Sequence, residues 1–351
     1  MVVAYILGGF VIATTLLSTL RVQDWWVRVC DFPRIHIALL GTVAAALWLS
    51  SGGLSGRSAP SLVFVVALAA AVALQASRIL PFTPLWPKQV HKAKDASAAI
   101  VSMVIANVRM DNRNTAAIGQ YIETKQPGIV LLLECDDWWL AQLKSRLVDY
   151  PHSVLNPRDD TYGIALYSKF EMVQPQVRFI STDEAPSIHT GMRLRNGELF
   201  RVHGLHPPPP VPQYADESTE RDAELMTVGR ELTRDVLPCI VAGDLNDVAW
   251  SRTTRLFRRV SGLLDPRIGR GPMPTFPVNF SLFRFPLDHV FLSPAFRLIE
   301  FERGPDVGSD HFPIFIKVSY EPTLALEQEP ETADDGSEAE ADELAAAAEG
   351  A

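Results

Sequence analysis

The residues of this chain that could do chemistry come in short packets set against apolar runs. Residues 241–247 read Val-Ala-Gly-Asp-Leu-Asn-Asp: an apolar run stops at Gly243, and Asp244, Asn246 and Asp247 follow at once. Leu-Asp-His-Val carries Asp288, and Ser-Asp-His-Phe-Pro carries Asp310 and His311. Upstream, Asn107 stands in Ile-Ala-Asn-Val, Glu134 closes Leu-Leu-Leu-Glu, and His206 closes Gly-Leu-His. Carboxylate and amide oxygens without a thiolate cluster suit a hard divalent cation, Mg²⁺ or Mn²⁺ ahead of Zn²⁺. Glu134, Asp310 and Asn107 are its candidate ligands. An Asp bonded to one imidazole nitrogen fixes the tautomer and raises basicity, and Asp288 with His311 offers such a couple. Taken alone, the 241–247 packet reads equally well as an Asx turn capping the next helix. It does not fit a calcium loop, which would want Gly where Ala249 stands and Glu where Arg255 stands.

Elements that could bring these packets together are legible around them. Strands are expected at 98–108, 128–133, 162–167, 171–180, 192–195, 199–205, 238–243, 287–292, 296–301 and 312–318. Asn196-Gly197 is the strongest hairpin signal in the chain. Helices are expected at 114–125, 136–148, 217–236 and 250–260. A strand that ends in oxygen-bearing side chains puts them at a sheet edge, where α/β proteins build their sites. Strand alternation turns His289 away from Asp288 and into the core, and His203 away from His206. Pro207 to Pro210 cannot donate hydrogen bonds and should leave the sheet as a surface loop.

The ordered set Asn107, Glu134, His206, Asp244 with Asn246, Asp288, and Asp310 with His311 resembles the endonuclease/exonuclease/phosphatase superfamily. That is the fold of the pancreatic deoxyribonuclease, the abasic-site endonucleases, the inositol polyphosphate 5-phosphatases and the neutral sphingomyelinases. The resemblance covers roughly residues 98–320. It implies an α/β four-layer sandwich of two mixed β-sheets flanked by helices, and a divalent-metal-dependent phosphoester hydrolase. It further implies that Asp244 activates the water, Asn246 holds a phosphate oxygen, and His206 faces the phosphate. Thr275, in Pro-Thr-Phe, resembles an element of some bacterial relatives. Some nuclease members carry an Asp two residues after the first Asn. Here Arg109 stands there, which leaves one metal as the default.

Composition divides the rest of the chain. Residues 1–80 hold three apolar runs, at 1–20, 35–51 and 60–77, each near the ~20 residues that cross a bilayer. Trp25, Trp26, Trp48 and Trp86 lie near their ends, as interface aromatics do. Arg21, Arg28 and Arg34 mark the first loop against Arg57 in the second, and Arg78, Lys88, Lys92 and Lys94 follow the third run. The positive-inside rule then expects a multi-pass protein of a bacterial-type inner membrane with a cytoplasmic catalytic domain. Residues 81–97 read as a Pro-rich linker. Residues 321–351 hold eleven acids and no Lys or Arg, which reads as a disordered, solvated tail. Without those eleven, 30 acids face 32 Lys and Arg. The remainder is near neutral, with no basic stripe for gripping duplex nucleic acid. The three cysteines read as buried thiols.

Two functions from different classes remain at this level. One is a membrane-anchored phosphodiesterase or phosphatase acting on nucleic acid or on a phospholipid head group. The Phe-rich stretch 272–286 beside a bilayer favours the lipid. The other is a catalytically inactive membrane scaffold that uses the fold for binding.

Overall fold

A computed structural model describes the chain except residues 54–57, 96–97, 213–214 and 348–351; Arg57 of the second loop therefore lies outside the described residues. The chain opens with α1 (Val2–Leu17), the single turn α2 (Trp25–Arg28), α3 (Arg34–Ser50) and α4 (Ala59–Ile79). α1, α3 and α4 pack together around Val11, Ile37, Ala44 and Leu68. Gly8 and Gly41 permit the approach, since a Cβ there would meet the Phe64 ring at 2.4 Å and Val72 at 2.5 Å. Gln75 ties the three helices together, accepting from Arg34 at 3.0 Å and donating to Thr15 at 2.9 Å. The outward faces are apolar, with Ile6, Phe10, Leu39, Val63 and Val66 all exposed. Of the three spans expected, Ala59–Phe82 is long and apolar enough to cross a membrane by itself. Trp25–Asp31 and Arg34–Ser50 pass together as a pair bent by 71°, and Val2–Leu17 is shorter.

The remaining chain builds β1 (Ala99–Asn107), α5 (Thr115–Lys125), β2 (Ile129–Leu133), α6 (Asp137–Leu143), β3 (His152–Asn156) and β4 (Ile164–Ser168). There follow β5 (Glu171–Phe179), β6 (Pro186–Arg193), β7 (Leu199–Leu205), α7 (Thr219–Arg234), β8 (Cys239–Asp244) and α8 (Arg252–Ser261). β9 (Asp288–Leu292), β10 (Phe296–Arg303), β11 (Ile314–Tyr320) and α9 (Asp335–Ala347) complete it. Two mixed sheets result, in the orders β10-β11-β1-β2-β4-β3 and β5-β6-β7-β8-β9. Alternation along the strands assigns the layers. Met103, Ile105, Leu131 and Ile164 meet Ile188, Val202, Ile240 and Val290 between the sheets. Val104, Ala106, Val130 and Leu132 face the outside helices through Ile118 and Trp139. On the other side, Val241 and Phe291 pack on Leu225, Val228 and Phe257 of α7 and α8. This is the α/β four-layer arrangement with helices outside both sheets.

Four local expectations are corrected. Acidic residues 335–347 are the helix α9, packed on α7 and α8, not a disordered tail. Its acids answer arginines of those helices: Glu338 and Asp342 meet Arg230, and Glu340 meets Arg252. Ala341 adds an apolar contact to the outer core. Pro207, Pro208 and Pro210 are buried, so the Pro run lines the interior of a cleft and is not a surface loop. Leu80–Phe82 is a 3₁₀ turn that buries Phe82 against Trp250, where an extended linker was expected. Strand β3 was not anticipated, because its half-buried, partly polar residues give no apolar run.

The segment between α1 and α3 sits on the sandwich. Trp250 donates its indole N–H to the Asp31 carbonyl at 2.8 Å, and Trp25 donates its backbone N–H to Asp216 at 3.0 Å. Thr219 donates to Gln23 at 2.7 Å, and the Phe32 and Phe285 rings meet edge-on at 5.5 Å.

Candidate active site

Strand register gathers the packets at one edge of the sandwich. β1 and β2 run parallel with Asn107 opposite Leu133, one residue before Glu134. β7 and β8 run parallel with Leu205 opposite Gly243, which sets His206 beside Asp244. β9 returns antiparallel with Asp288 opposite Asp244, and β11 enters beside β1 directly after Asp310 and His311. Gly243 is required where it stands. At φ 148° it lies in a region that L side chains avoid, and a Cβ would sit 1.9 Å from the Leu205 carbonyl oxygen. Glu134 and Asn246 adopt positive φ, 55° and 51°, an uncommon backbone for non-glycine residues that clusters at functional sites.

Asn107 and His311 hold the acids together. The Asn107 amide nitrogen donates to Glu134 Oε1 at 2.7 Å and to Asp244 Oδ2 at 3.2 Å. Its amide oxygen accepts from the Arg109 N–H at 3.0 Å. Asn107 thus bridges two carboxylates by donation. In this orientation it does not present the oxygen expected of a metal ligand. His311 stands between two buried acids, Nδ1 2.8 Å from Asp288 Oδ2 and Nε2 3.4 Å from Asp244 Oδ2. Burial alone would lower its pKa, but Asp288, Asp244 and Asp310 outweigh that and raise it to about 10. Burial raises the Asp244 carboxyl, with His311 opposing. Asn246 donates its backbone N–H to Asp244 Oδ1 at 3.0 Å and one side-chain N–H to the Pro207 carbonyl at 3.0 Å. That leaves a second amide N–H for a ligand. Burial lowers the His206 pKa, and its Nδ1 is buried without a hydrogen-bond partner among the described residues.

The donor set fits a divalent cation. Burial, with Asp244 and Asp310 nearby, pushes the Glu134 carboxyl up to about 7 despite the Asn107 hydrogen bond. A carboxyl group held near neutrality among other acids is short of positive charge, which a cation shared by Glu134 and Asp310 would supply. Both are half-buried and line the cleft. Asp244, Asp288 and His311 also bring ligand atoms within 4.8 Å of one another. That trio is a second place where a cation could be held, beside the Glu134 and Asp310 pair.

Six of the eight anticipated residues line a cavity of about 430 Å³: Glu134, His206, Asp244, Asn246, Asp310 and His311. Asn107 and Asp288 stand behind them. Asp247 parts company with its packet. It accepts from the Ser251 and Thr254 hydroxyls at the start of α8 and lies 3.7 Å from Arg221, while Ser251 itself caps that helix. His289 is in the core, bonded to Arg267 and to the Asp247 carbonyl, as strand alternation requires. Thr275 gains a role: its hydroxyl accepts from the Asp288 N–H at 3.4 Å and its carbonyl from the Phe312 N–H at 3.0 Å. It therefore joins the two halves of the Asp288–His311 couple. Sequence reasoning missed Tyr162, whose ring lies 5.9 Å from His206, and read Phe276, 4.7 Å from His311, only as part of the Phe-rich 272–286 stretch. It also missed Trp25, Arg28, Val29 and Phe32, which wall the same cavity from the segment between α1 and α3. Trp25 and Arg28 stood out only as membrane-interface residues, because a place at the cleft depends on how the helices dock.

Residues 104–311 match the family described as Endonuclease/Exonuclease/phosphatase family. The chain belongs to that family. Members of the endonuclease/exonuclease/phosphatase family are phosphoester hydrolases and generally depend on a divalent metal. Solved structures share the fold. A Danio rerio TDP2 complexed with single-strand DNA product is 20% identical, with TM-score 0.52, 64% of this chain covered and 100% of that one. The human Nocturnin catalytic domain with bound sulfate anion is 17% identical, with TM-score 0.52, covering 63% and 94%. A Bacteroides thetaiotaomicron mannosyl-6-phosphatase is 19% identical, with TM-score 0.50, covering 63% and 100%. No curated protein matches the sequence.

Proposed function

We propose that this family member is a membrane-anchored, metal-dependent phosphodiesterase or phosphatase whose substrate is a lipid phosphoester of the bilayer that holds it. The observation that carries the reading is the cleft wall: Trp25, Val29 and Phe32, between two apolar helices, face the same cavity as Asp244 and His311. An apolar wall beside a charged floor suits a molecule with a hydrocarbon part and a phosphate part. Two features support the anchor. The helical bundle turns large apolar side chains outward, which water penalises and hydrocarbon does not. Phe280, Leu282 and Phe283 form an exposed apolar tip on the 272–286 loop, with Phe283 stacked 4.4 Å from His36 of α3. The net charge of −9, with the acids of α9 packed on the sandwich, speaks against nucleic acid. Arg21, Arg28, Arg34 and Arg78 gather at the end of the bundle beside the sandwich, consistent with a cytoplasmic domain.

In this reading Asp244 accepts the proton of the attacking water, and the His311 imidazolium, oriented by Asp288, sets its charge against the phosphate. The free Asn246 N–H and His206 contact phosphate oxygens. Glu134 and Asp310 would hold Mg²⁺ or Mn²⁺, which neutralises phosphate charge when bound. The test uses the full chain in lipid nanodiscs, offered phospholipids, sphingomyelin, inositol phosphates, DNA and RNA. Turnover of a lipid, with KM raised in Trp25→Ser/Phe32→Ser while a small soluble phosphodiester is still cleaved, supports the reading. Preference for DNA or RNA refutes the substrate, and no turnover of any of them favours a binding scaffold.

A further inference from the structure

A second cavity, of about 210 Å³, opens where the helical bundle meets α8 and α9, and it shares no lining residue with the catalytic cleft. Arg34 from the start of α3 and Arg78 from the end of α4 reach it from one side. Arg252, Arg255 and Arg259 reach it from α8, where spacings of three and four residues put them on one helical face. Against these five guanidinium groups the lining supplies one carboxylate, Glu340 of α9.

The partners of each cation show how little of this charge is answered. Arg34 is paired with Asp31, and Arg252 with Glu340, which also lies 3.5 Å from Arg21. Arg259 donates to Ser337 at 3.0 Å and reaches Glu331 only at 3.9 Å. Among the described residues, Arg255 donates only to the Ser251 carbonyl and Arg78 has neither hydrogen bond nor ion pair. Like charges gathered in a half-buried cavity repel and are costly to desolvate unless an anion joins them. Guanidinium forks match the oxygens of a phosphate better than any other common anion.

We propose that this cavity binds a phosphate group of high negative charge and that Glu340 is its built-in competitor. Two sources share that chemistry. Ser18, Leu74 and Arg78 place the cavity at the ends of α1 and α4, the level at which lipid head groups would lie beside an inserted bundle. Soluble phosphate could reach the same donors from the aqueous side. In either case an occupant displaces Glu340 from Arg252 and loosens one tether of α9.

The experiment measures binding to the full chain, with no turnover involved, so its outcome is independent of the proposed hydrolysis. Inorganic phosphate is titrated calorimetrically in nonionic micelles, and thermal stability is compared in phosphatidylcholine nanodiscs with and without phosphatidic acid. Arg78→Gln/Arg259→Gln should weaken the response to the effective probe about tenfold or more, the scale of losing charge-assisted hydrogen bonds. Glu340→Gln should strengthen it several-fold. A response confined to phosphatidic acid identifies a lipid site, and one confined to inorganic phosphate a soluble-anion site; both support the proposal. If the double variant fails to fold, Glu340→Gln decides alone, because removing a competitor must tighten binding. Unchanged responses to both probes in Glu340→Gln overturn the proposal.

Discussion

Asp288 Oδ2 lies 2.8 Å from His311 Nδ1, and both side chains are buried, which joins the two across the 23 residues that separate them. Asp288→Asn and His311→Ala should each lower kcat/KM by roughly 10²–10⁴-fold, the range for lost acid–base groups. The double variant should lose little more than the worse single. Kinetics of the four-member cycle on any accepted substrate check this; strictly additive losses would mean that the couple does not work as a pair.

Glu134 sits among acids that hold its carboxyl near pH 7, the position of a group awaiting a cation. Glu134→Gln should reduce activity on the order of 10²-fold or more and abolish the thermal stabilisation that Mg²⁺ or Mn²⁺ gives the full chain. Full activity of the unaltered protein in excess chelator would remove the metal from the reaction.

Helix α9 is fastened by ion pairs from Arg230 and Arg252 and by Ala341, and Glu331 ahead of it pairs with Arg258. Deleting residues 329–351 should therefore lower the melting temperature, by about 2–4 °C for each kcal/mol lost. An unchanged melting temperature would show that the helix contributes nothing to stability.

Glu224 is buried, and burial pushes its carboxyl up to about 8 against the opposing pull of the Ser181 hydroxyl and Arg178. The folded chain then holds a proton that the unfolded chain releases near pH 4.5. The group's contribution is fully present below that value and is lost as pH rises toward 8. Glu224→Gln should melt like the unaltered protein at pH 4–5, by this titration, and progressively higher than it up to pH 8. A gap between the two that does not change with pH would contradict this account.

The catalytic packets were legible because each is written locally. Gly243 followed by Asp244, or Glu134 after three leucines, marks a strand end whatever the rest of the chain does. Register then did the joining, and the layers followed from alternation along β1, β2 and β8. What could not be read depends on contacts between distant segments. Residues 335–347 look solvated until Arg230 and Arg252 are set opposite them. Pro207 looks exposed until its carbonyl is seen to accept from Asn246. The orientation of Asn107 is decided by Arg109, two residues on, which counted from sequence only as a missing acid.

The position of residues 25–32 bears on how the protein can be handled. A fragment beginning at β1 keeps all eight anticipated site residues yet leaves behind Trp25, Arg28, Val29 and Phe32. Such a fragment would work as an open trough, sorting small phosphoesters by charge alone. Its preferences would differ from those of the full chain, in which residues 25–32 supply one wall of the cavity.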